Sequence, residues 1–212
     1  MFCPFCLEKR FDNNKKANLP AEECTLFQSE NFYVQTDIAP LVRGHIMLIP
    51  HKHYLAFNQL PEELKAEARQ LKEYLKKIYK EVYNSDVLFF EHGSAKSGLA
   101  GASIDHAHLH CMPDTFNINP EIEQILGNPS CFNVFESENE LPKEKSYIYS
   151  EYKEKENVYI VEKLPSQFLR KIISDKLNSQ GYMWQELSAS DENRNKIEGT
   201  IKDLQEKFTL IV

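Results

Sequence analysis

The pattern of hydrophobic and polar positions predicts several β-strands followed by a long helix. Short runs rich in β-branched and aromatic residues, at residues 25–28, 32–36 and 44–50, are separated by polar or proline-containing segments and are typical of strands. Residues 61–83 instead carry apolar side chains at spacings of three and four, with lysine and glutamate between them, which predicts an amphipathic helix. We therefore expect three strands before the first helix.

The rest of the chain predicts more strands and helices with a weaker signal. A strand at residues 87–90 leads into residues 91–101, where three glycines predict a flexible loop, and residues 104–112 predict a strand that ends before Pro113. Beyond Pro113 the patterns favour strands at residues 131–135, 147–149 and 158–161, and helices at residues 167–177 and 192–208. Since the composition does not change sharply, we expect a core of residues 1–113 and a C-terminal extension, residues 114–212, packed on it.

Composition and charge narrow the class of protein. The 212 residues are 42% hydrophobic and 27% charged, as expected of a folded globular chain. The apolar runs are too short for a membrane helix and the N-terminus lacks the pattern of a secretory signal, so we expect a cytoplasmic protein. The net charge of -7 argues against a general nucleic-acid binder but allows a small anionic substrate held by a local cluster.

Three histidines alternate along the predicted strand at residues 104–112. Because alternate residues of a strand share a face, His106, His108 and His110 should point to one side. Such a cluster is compatible with a surface or metal-binding site. The glycine-containing segment before it, with Ser103, could bring backbone N–H groups and a hydroxyl to a phosphate. A neutral imidazole is then a competent nucleophile, and a neighbouring imidazolium could protonate the leaving group.

The chain resembles the histidine-triad superfamily. The sequence HAHLHCM at residues 106–112 is similar to the family signature, in which three histidines alternate with apolar residues. A second landmark, GHIMLIPHKH at residues 44–53, resembles the family strand that ends in Ile-Pro-x-x-His. The CPFC start at residues 3–6 is similar to a zinc-bearing branch that includes the galactose-1-phosphate uridylyltransferases. The resemblance covers roughly residues 1–113.

This resemblance implies a fold and a reaction. The fold would be α+β, HIT-like, with a mostly antiparallel sheet, packed helices and a C-terminal extension. His108 would attack the α-phosphate of a nucleotide ester and form a nucleotidyl-histidine, while His110 would contact or protonate the phosphate. Asp37 occupies the acidic position that family members use to hold the ribose hydroxyls.

The resemblance also implies further contacts to the substrate. His45, Gly101 and Ser103 would help to bind the nucleotide, and the base would lie in an apolar slot near Phe32 and Ile38. Ala102 stands where the family often has a glutamine, so one amide that contacts phosphate is missing. The expected partner is a nucleotide or dinucleotide, and family members often form homodimers.

A structural zinc is the cofactor that the resemblance implies. Zinc takes four sulfur or nitrogen ligands, and the Cys3 and Cys6 pair supplies two. By resemblance, His53 and His106 supply the others, although His51 could replace His53. A redox dithiol and two cysteines without a function are the competing interpretations.

The predicted function is hydrolysis of a nucleotide phosphoester, phosphoramidate or phosphoanhydride. A nucleotidyltransferase or phosphorylase differs only in the acceptor. A nucleotide- or RNA-binding accessory protein without turnover is the alternative from another class. The helix at residues 167–177, with Ser166 as a candidate cap, could complete a phosphate pocket, but we favour simple packing on the core.

Overall fold

A seven-stranded sheet, in which all neighbouring strands are antiparallel, forms the centre of the fold. The computed structural model describes residues 3–6, 24–99, 101, 104–113, 116–179, 181–188 and 190–208. The strands are β1 (Thr25–Gln28), β2 (Phe32–Thr36), β3 (Ile46–Pro50), β4 (Val87–Gly93), β5 (Leu109–Pro113), β6 (Ser146–Tyr152) and β7 (Lys155–Val161). Their order is β1-β2-β3-β5-β4-β6-β7, so β5 lies in the middle.

Helices lie on both sides of this sheet. They are α1 (Glu62–Tyr83), α2 (Asn119–Leu126), α3 (Phe168–Lys176), α4 (Trp184–Leu187) and α5 (Asp191–Phe208), with a short 3-10 helix at Phe57–Gln59. The predicted α+β class and the mostly antiparallel sheet are confirmed. None of the helices in the described residues is long and apolar enough to cross a bilayer.

The alternation of side chains along β5 divides the two faces of the sheet. Leu109 and Cys111 are fully buried against α1, whose apolar stripe includes Ala68, Leu75 and Ile78. This is the burial that the spacing of three and four predicts. The histidines that alternate with Leu109 and Cys111 are therefore directed to the opposite face.

Helix α3 covers part of that opposite face. Phe168, Leu169 and Ile173 of α3 belong to a second core cluster, together with Phe90 of β4 and Met112 of β5. The extension thus packs beside the strand that carries the histidines. Strands β6 and β7 continue the same sheet past residue 113, and the division into core and extension stays a prediction.

The structure corrects three predicted elements. Strand β5 begins only at Leu109, so His106 and His108 precede it. Strand β4 continues to Gly93, inside the segment predicted as a loop, because Gly93 pairs with Tyr147 and an added Cβ would lie 2.1 Å from the Tyr147 ring. Residues 131–135 were predicted as a strand but make only an isolated bridge, between Asn133 and Glu140. In addition, the structure contains helix α2, which was not predicted from the sequence.

Candidate functional site

Two cysteines and two histidines converge where the N-terminal segment meets the start of β5. The candidate ligand atoms of Cys3, Cys6, His53 and His106 all lie within 4.8 Å of one another. The Sγ of Cys3 is 3.3 Å from His106 Nδ1, and the Sγ of Cys6 is 3.4 Å from His53 Nδ1. The structure therefore gathers the four predicted ligands into one cluster.

The chemistry of this cluster fits a tetrahedral metal ion. Tetrahedral zinc with ordinary bond lengths separates sulfur from nitrogen by about 3.6 Å, close to the spacings found here. The other ring nitrogen of His106, Nε2, donates to the carbonyl of Pro50 at 2.8 Å, which leaves Nδ1 unprotonated toward the sulfurs. His51 is engaged elsewhere, with Nε2 3.2 Å from the Ser29 carbonyl, so His53 is the ligand that the geometry favours.

His108 lies beside this cluster with one ring nitrogen fixed by the backbone. Its Nδ1 donates to the carbonyl of His106 at 2.6 Å, so the proton is on Nδ1 and Nε2 keeps its lone pair. Burial lowers the pKa of His108 below the ordinary value, which keeps the ring neutral at pH 7. The edge of the Phe5 ring packs against it, with centroids 5.2 Å apart. His108 thus has the protonation that a nucleophile requires.

His110 is held from behind by His45. The backbone N–H of Leu41 donates to His45 Nδ1 at 3.2 Å, so His45 carries its proton on Nε2 and donates to His110 Nδ1 at 2.9 Å. His110 consequently carries its own proton on Nε2. Burial lowers the pKa of His45 to about 4 and that of His110 well below its usual range. The neutral form of His110 is therefore favoured in the free protein, with its Nε2 proton available to donate, and its role in contacting or protonating the phosphate stays a prediction.

Asp37 is enclosed by protein groups. Its Oδ1 accepts from the backbone N–H of Ala39 at 2.8 Å, and its Oδ2 accepts from Arg170 Nη1 at 2.9 Å. Burial alone would raise the pKa of the carboxyl, but the charge of Arg170, with smaller effects of His45 and the Ala39 amide, outweighs burial and lowers the pKa. Both oxygens thus have internal partners, and the predicted contact with ribose would have to share them.

Arg170 comes from helix α3 of the extension and is 4% exposed. Beyond Asp37, its guanidinium donates to the carbonyls of Ala39, at 2.6 Å, and Tyr182, at 3.0 Å. In the sequence Arg170 is one of 25 Lys and Arg residues, and the segment around it carries no motif that singles it out. The helix packs on the sheet through Phe168, Leu169 and Ile173, and it also supplies the charged side chain of Arg170 to the site. The helix begins after Gln167 without a side-chain cap, so Ser166 is not its cap.

A small cleft opens over these groups. His108, His110 and Arg170 line it together with apolar residues that include Phe5, Ile38 and Trp184. Ile38 thus lies where the base slot was predicted. Phe32 was predicted beside the same slot, but it does not line the cleft, because it is fully buried in the core against α1.

The remaining predicted contacts lie around the cleft or outside the described residues. His45 is fully buried behind His110. Gly101 packs against the extension, where its carbonyl accepts from Gln167 N at 2.9 Å and an added Cβ would meet the Pro165 carbonyl at 2.4 Å. Ser103 falls outside the residues that the structure describes. The nucleotide-binding roles of these residues stay predictions.

Loss of Arg170 should expose the cost of burying Asp37. We expect Arg170→Met to lower the free energy of unfolding by about 3 to 5 kcal/mol, because a buried carboxylate would lose its ion partner. In the wild type the lowered pKa of Asp37 adds stability above the ordinary pKa of 3.8, and this is lost as the pH falls through the folded value. In the variant, burial would raise that pKa, so stability should instead fall as the pH rises from about 4 to 7.

Urea denaturation at several pH values tests this, with Asp37→Asn added to Arg170→Met as the matched control. The double variant should regain part of the lost stability and lose the extra pH dependence. Equal stability of the wild type and Arg170→Met at pH 7 would contradict the ion pair.

Comparison with known proteins places the chain in a family. The model of a family described as proteins similar to the CwfJ C-terminal matches residues 2–124. An uncharacterised HIT-like protein of Methanocaldococcus jannaschii is 26% identical over 98 residues, 45% of this chain and 70% of that protein. The adenosine 5'-monophosphoramidase of Saccharomyces cerevisiae is 27% identical over 99 residues, 46% of this chain and 57% of that protein.

Solved structures include similar chains. A zinc-bound histidine-triad family protein from Mycobacterium smegmatis is 25% identical, with a TM-score of 0.36 over 42% of this chain and 64% of that one. The matched region is thus less than two thirds of the yeast and mycobacterial chains. The finer resemblance to the galactose-1-phosphate uridylyltransferases stays a prediction.

Proposed function

Since the chain belongs to the family of proteins similar to the CwfJ C-terminal, within the HIT-like superfamily, we propose that it hydrolyses nucleotide phosphoesters, phosphoramidates or phosphoanhydrides through a nucleotidyl-histidine. One observation carries this proposal. His108 lines the cleft and donates its Nδ1 proton to the His106 carbonyl. Its Nε2 is therefore unprotonated and keeps a free lone pair.

The first step uses that lone pair. His108 Nε2 attacks the α-phosphorus, a nitrogen–phosphorus bond forms, and the leaving group departs with the electrons of the bond that breaks. The ring then carries a positive charge, and the His106 carbonyl accepting from Nδ1 stabilises it. In the second step water attacks the same phosphorus, the nitrogen–phosphorus bond breaks, and its electron pair returns to Nε2.

The neighbours of His108 orient the phosphate, while the His108 ring itself is uncharged before the reaction. His110 offers its Nε2 proton as a hydrogen bond to a phosphate oxygen, because its Nδ1 is occupied by His45. Because the chain has a net negative charge, an anionic substrate needs a cation close to it, and Arg170 supplies that cation. Asp37 partly balances the charge of Arg170. His45 and Asp37 act on the substrate through His110 and Arg170.

The metal cluster has a structural role in this proposal. Cys3, Cys6, His53 and His106 fill all four positions of a tetrahedral ion, so zinc would supply a fixed link between the N-terminal segment and the backbone that precedes β5. His106 is both a candidate ligand and, through its carbonyl, the acceptor for His108. The cluster therefore helps to fix the orientation of the His108 ring.

A substrate panel with a trapped intermediate tests the proposed function. The protein would be mixed with dinucleoside polyphosphates, nucleoside phosphoramidates and nucleotide sugars and quenched within the first turnover. We expect the nucleotide monophosphate as product and, by mass spectrometry, a nucleotidyl group on the peptide that contains His108. Transfer to an added phosphate or sugar phosphate in preference to water would make the protein a phosphorylase or transferase. Absence of both product and adduct with the whole panel would contradict the proposal.

A further inference from the structure

His92 of β4 is a buried histidine that the proposed mechanism does not use. Its side chain is 6% exposed and is directed to the same face of the sheet as that of Phe90, two residues earlier. The ring of Phe90 stacks on the ring of His110, with centroids 4.5 Å apart. Strand β4 therefore places His92 on the face of the sheet that carries His110 and is covered by helix α3.

The ring of His92 accepts a hydrogen bond from the first turn of helix α3. The backbone N–H of Leu169 donates to His92 Nε2 at 3.1 Å. The first backbone N–H groups of a helix have no acceptor within the helix, so a neighbouring side chain commonly caps them. Gln167, which precedes α3, makes no such cap with its side chain. His92 therefore supplies an acceptor to this helix from a strand 77 positions earlier in the chain.

His92 is held in the neutral tautomer that this bond requires. Because Nε2 accepts, the proton of the ring is on Nδ1. Burial, with smaller effects of the charges of His108 and Arg170, lowers the pKa of His92 to about 3. A protonated ring would have no acceptor and would lose the bond to Leu169. The ring therefore remains an acceptor throughout the neutral pH range.

Arg170 follows Leu169 directly, so the bond to His92 lies one residue from the cation of the cleft. The guanidinium donates to Asp37, just after β2, and to two backbone carbonyls. It meets these acceptors together only if the first turn of α3 keeps its height and rotation above the sheet. A hydrogen bond from the sheet to the backbone beside Arg170 restricts both movements.

We propose that His92 is a positioning residue for Arg170, because its ring fixes the first turn of α3 and with it the guanidinium at the cleft. His92 acts through Arg170 and does not itself touch the substrate. The inference rests on the proposed function only for the role of Arg170 as the cation near the phosphate. The extension then supplies the charge, and strand β4 determines where that charge lies.

Two amide variants separate this hydrogen bond from the bulk of the side chain. His92→Gln puts its amide oxygen near the place of Nε2 and should keep the bond to the Leu169 N–H, whereas His92→Asn is one methylene shorter and should lose it. His92→Leu removes the acceptor altogether and should behave like His92→Asn. Ile173→Val removes a buried methyl group from the same helix and is the matched control for a loss of stability alone.

The NMR signal of the Arg170 Nε–H group reports the position of the guanidinium directly. This group donates to the Tyr182 carbonyl, so its proton should exchange slowly with water. Arg170→Lys keeps the charge and assigns the signal by its absence. We expect the signal to shift and its exchange to become at least about 10-fold faster in His92→Asn and His92→Leu, but not in His92→Gln or Ile173→Val. An unchanged signal in His92→Asn and His92→Leu would overturn the inference.

Calorimetric titration of the full-length protein with inorganic pyrophosphate adds a binding measurement that needs no turnover. His92→Asn should bind pyrophosphate about 5- to 10-fold more weakly than the wild type, and His92→Gln should recover most of the affinity. Affinity that is absent in the wild type or unchanged in His92→Asn would contradict a positioned cation at the cleft.

Failure of this inference can be told apart from failure of the proposed function. An Arg170 signal that responds to His92→Asn, without turnover of the substrate panel, would support positioning and contradict hydrolysis. Turnover of the panel with an Arg170 signal that is independent of His92 would do the reverse.

Discussion

Replacement of His108 by glutamine is expected to lower kcat/KM by at least about 10⁴-fold, because the variant loses the only group proposed to form a bond to phosphorus. Glutamine fills a similar space and can still donate to the His106 carbonyl, so the fold should persist. Binding of a nucleotide product should change by no more than about 10-fold, since the contacts to base and phosphate remain. Steady-state kinetics and product binding would be measured on the same preparation.

Two further variants sharpen this result. His108→Gly leaves space for free imidazole, and added imidazole should restore part of the lost rate if the ring itself is the nucleophile. His51→Gln is the matched control, because His51 is outside both the cleft lining and the metal cluster of the described residues, and its rate should stay within about threefold of the wild type. Wild-type turnover in His108→Gln would exclude the nucleotidyl-histidine.

Substitution of Cys3 by serine is expected to remove the bound metal and to lower the melting temperature by roughly 10 °C, an effect of about 3 kcal/mol or more for a chain of this size. In the wild type we expect one equivalent of zinc. Its loss would free residues 3–6, including Phe5, whose ring packs on His108 and whose carbonyl accepts from Tyr33. Activity should therefore fall together with metal content.

Cys131→Ser is the matched control for the cysteine variant, since Cys131 is exposed and lies outside the candidate cluster. Metal analysis by mass spectrometry and thermal denaturation would be done for the three proteins. The control should keep its zinc and its melting temperature. A wild-type protein purified under non-chelating conditions that holds no metal, and whose stability does not respond to added zinc, would contradict the site.

The elements with strong local periodicity could be predicted from the sequence. The apolar stripe of α1 and the alternation around Leu109 and Cys111 depend on near neighbours in the chain, so the helix and the two faces of β5 follow from the pattern. The metal cluster was predicted in two parts. The pair of thiolates at Cys3 and Cys6 indicates a metal site by its own chemistry, whereas His53 and His106 were implied as ligands only by the resemblance to the histidine-triad superfamily.

The rest of the site depends on contacts between distant segments. Arg170 meets Asp37 across 133 positions, and nothing local to either residue points to the other. Likewise, His92 meets Leu169 across 77 positions, so its bond to helix α3 could be assigned only once the neighbours were known. Periodicity along the chain reflects near neighbours only, so it does not reveal pairings between distant segments.

The position of β5 in the middle of the sheet has a consequence for motion. Strands on both sides hydrogen-bond to β5, so its backbone can open only when much of the domain unfolds, and its amide hydrogens should exchange with solvent among the slowest. Helix α4, in contrast, is one turn long and has no buried residue. The wall of the cleft that β5 forms with His110 should therefore stay closed in the folded protein, whereas the short helix that bears Trp184 can open by local fluctuation.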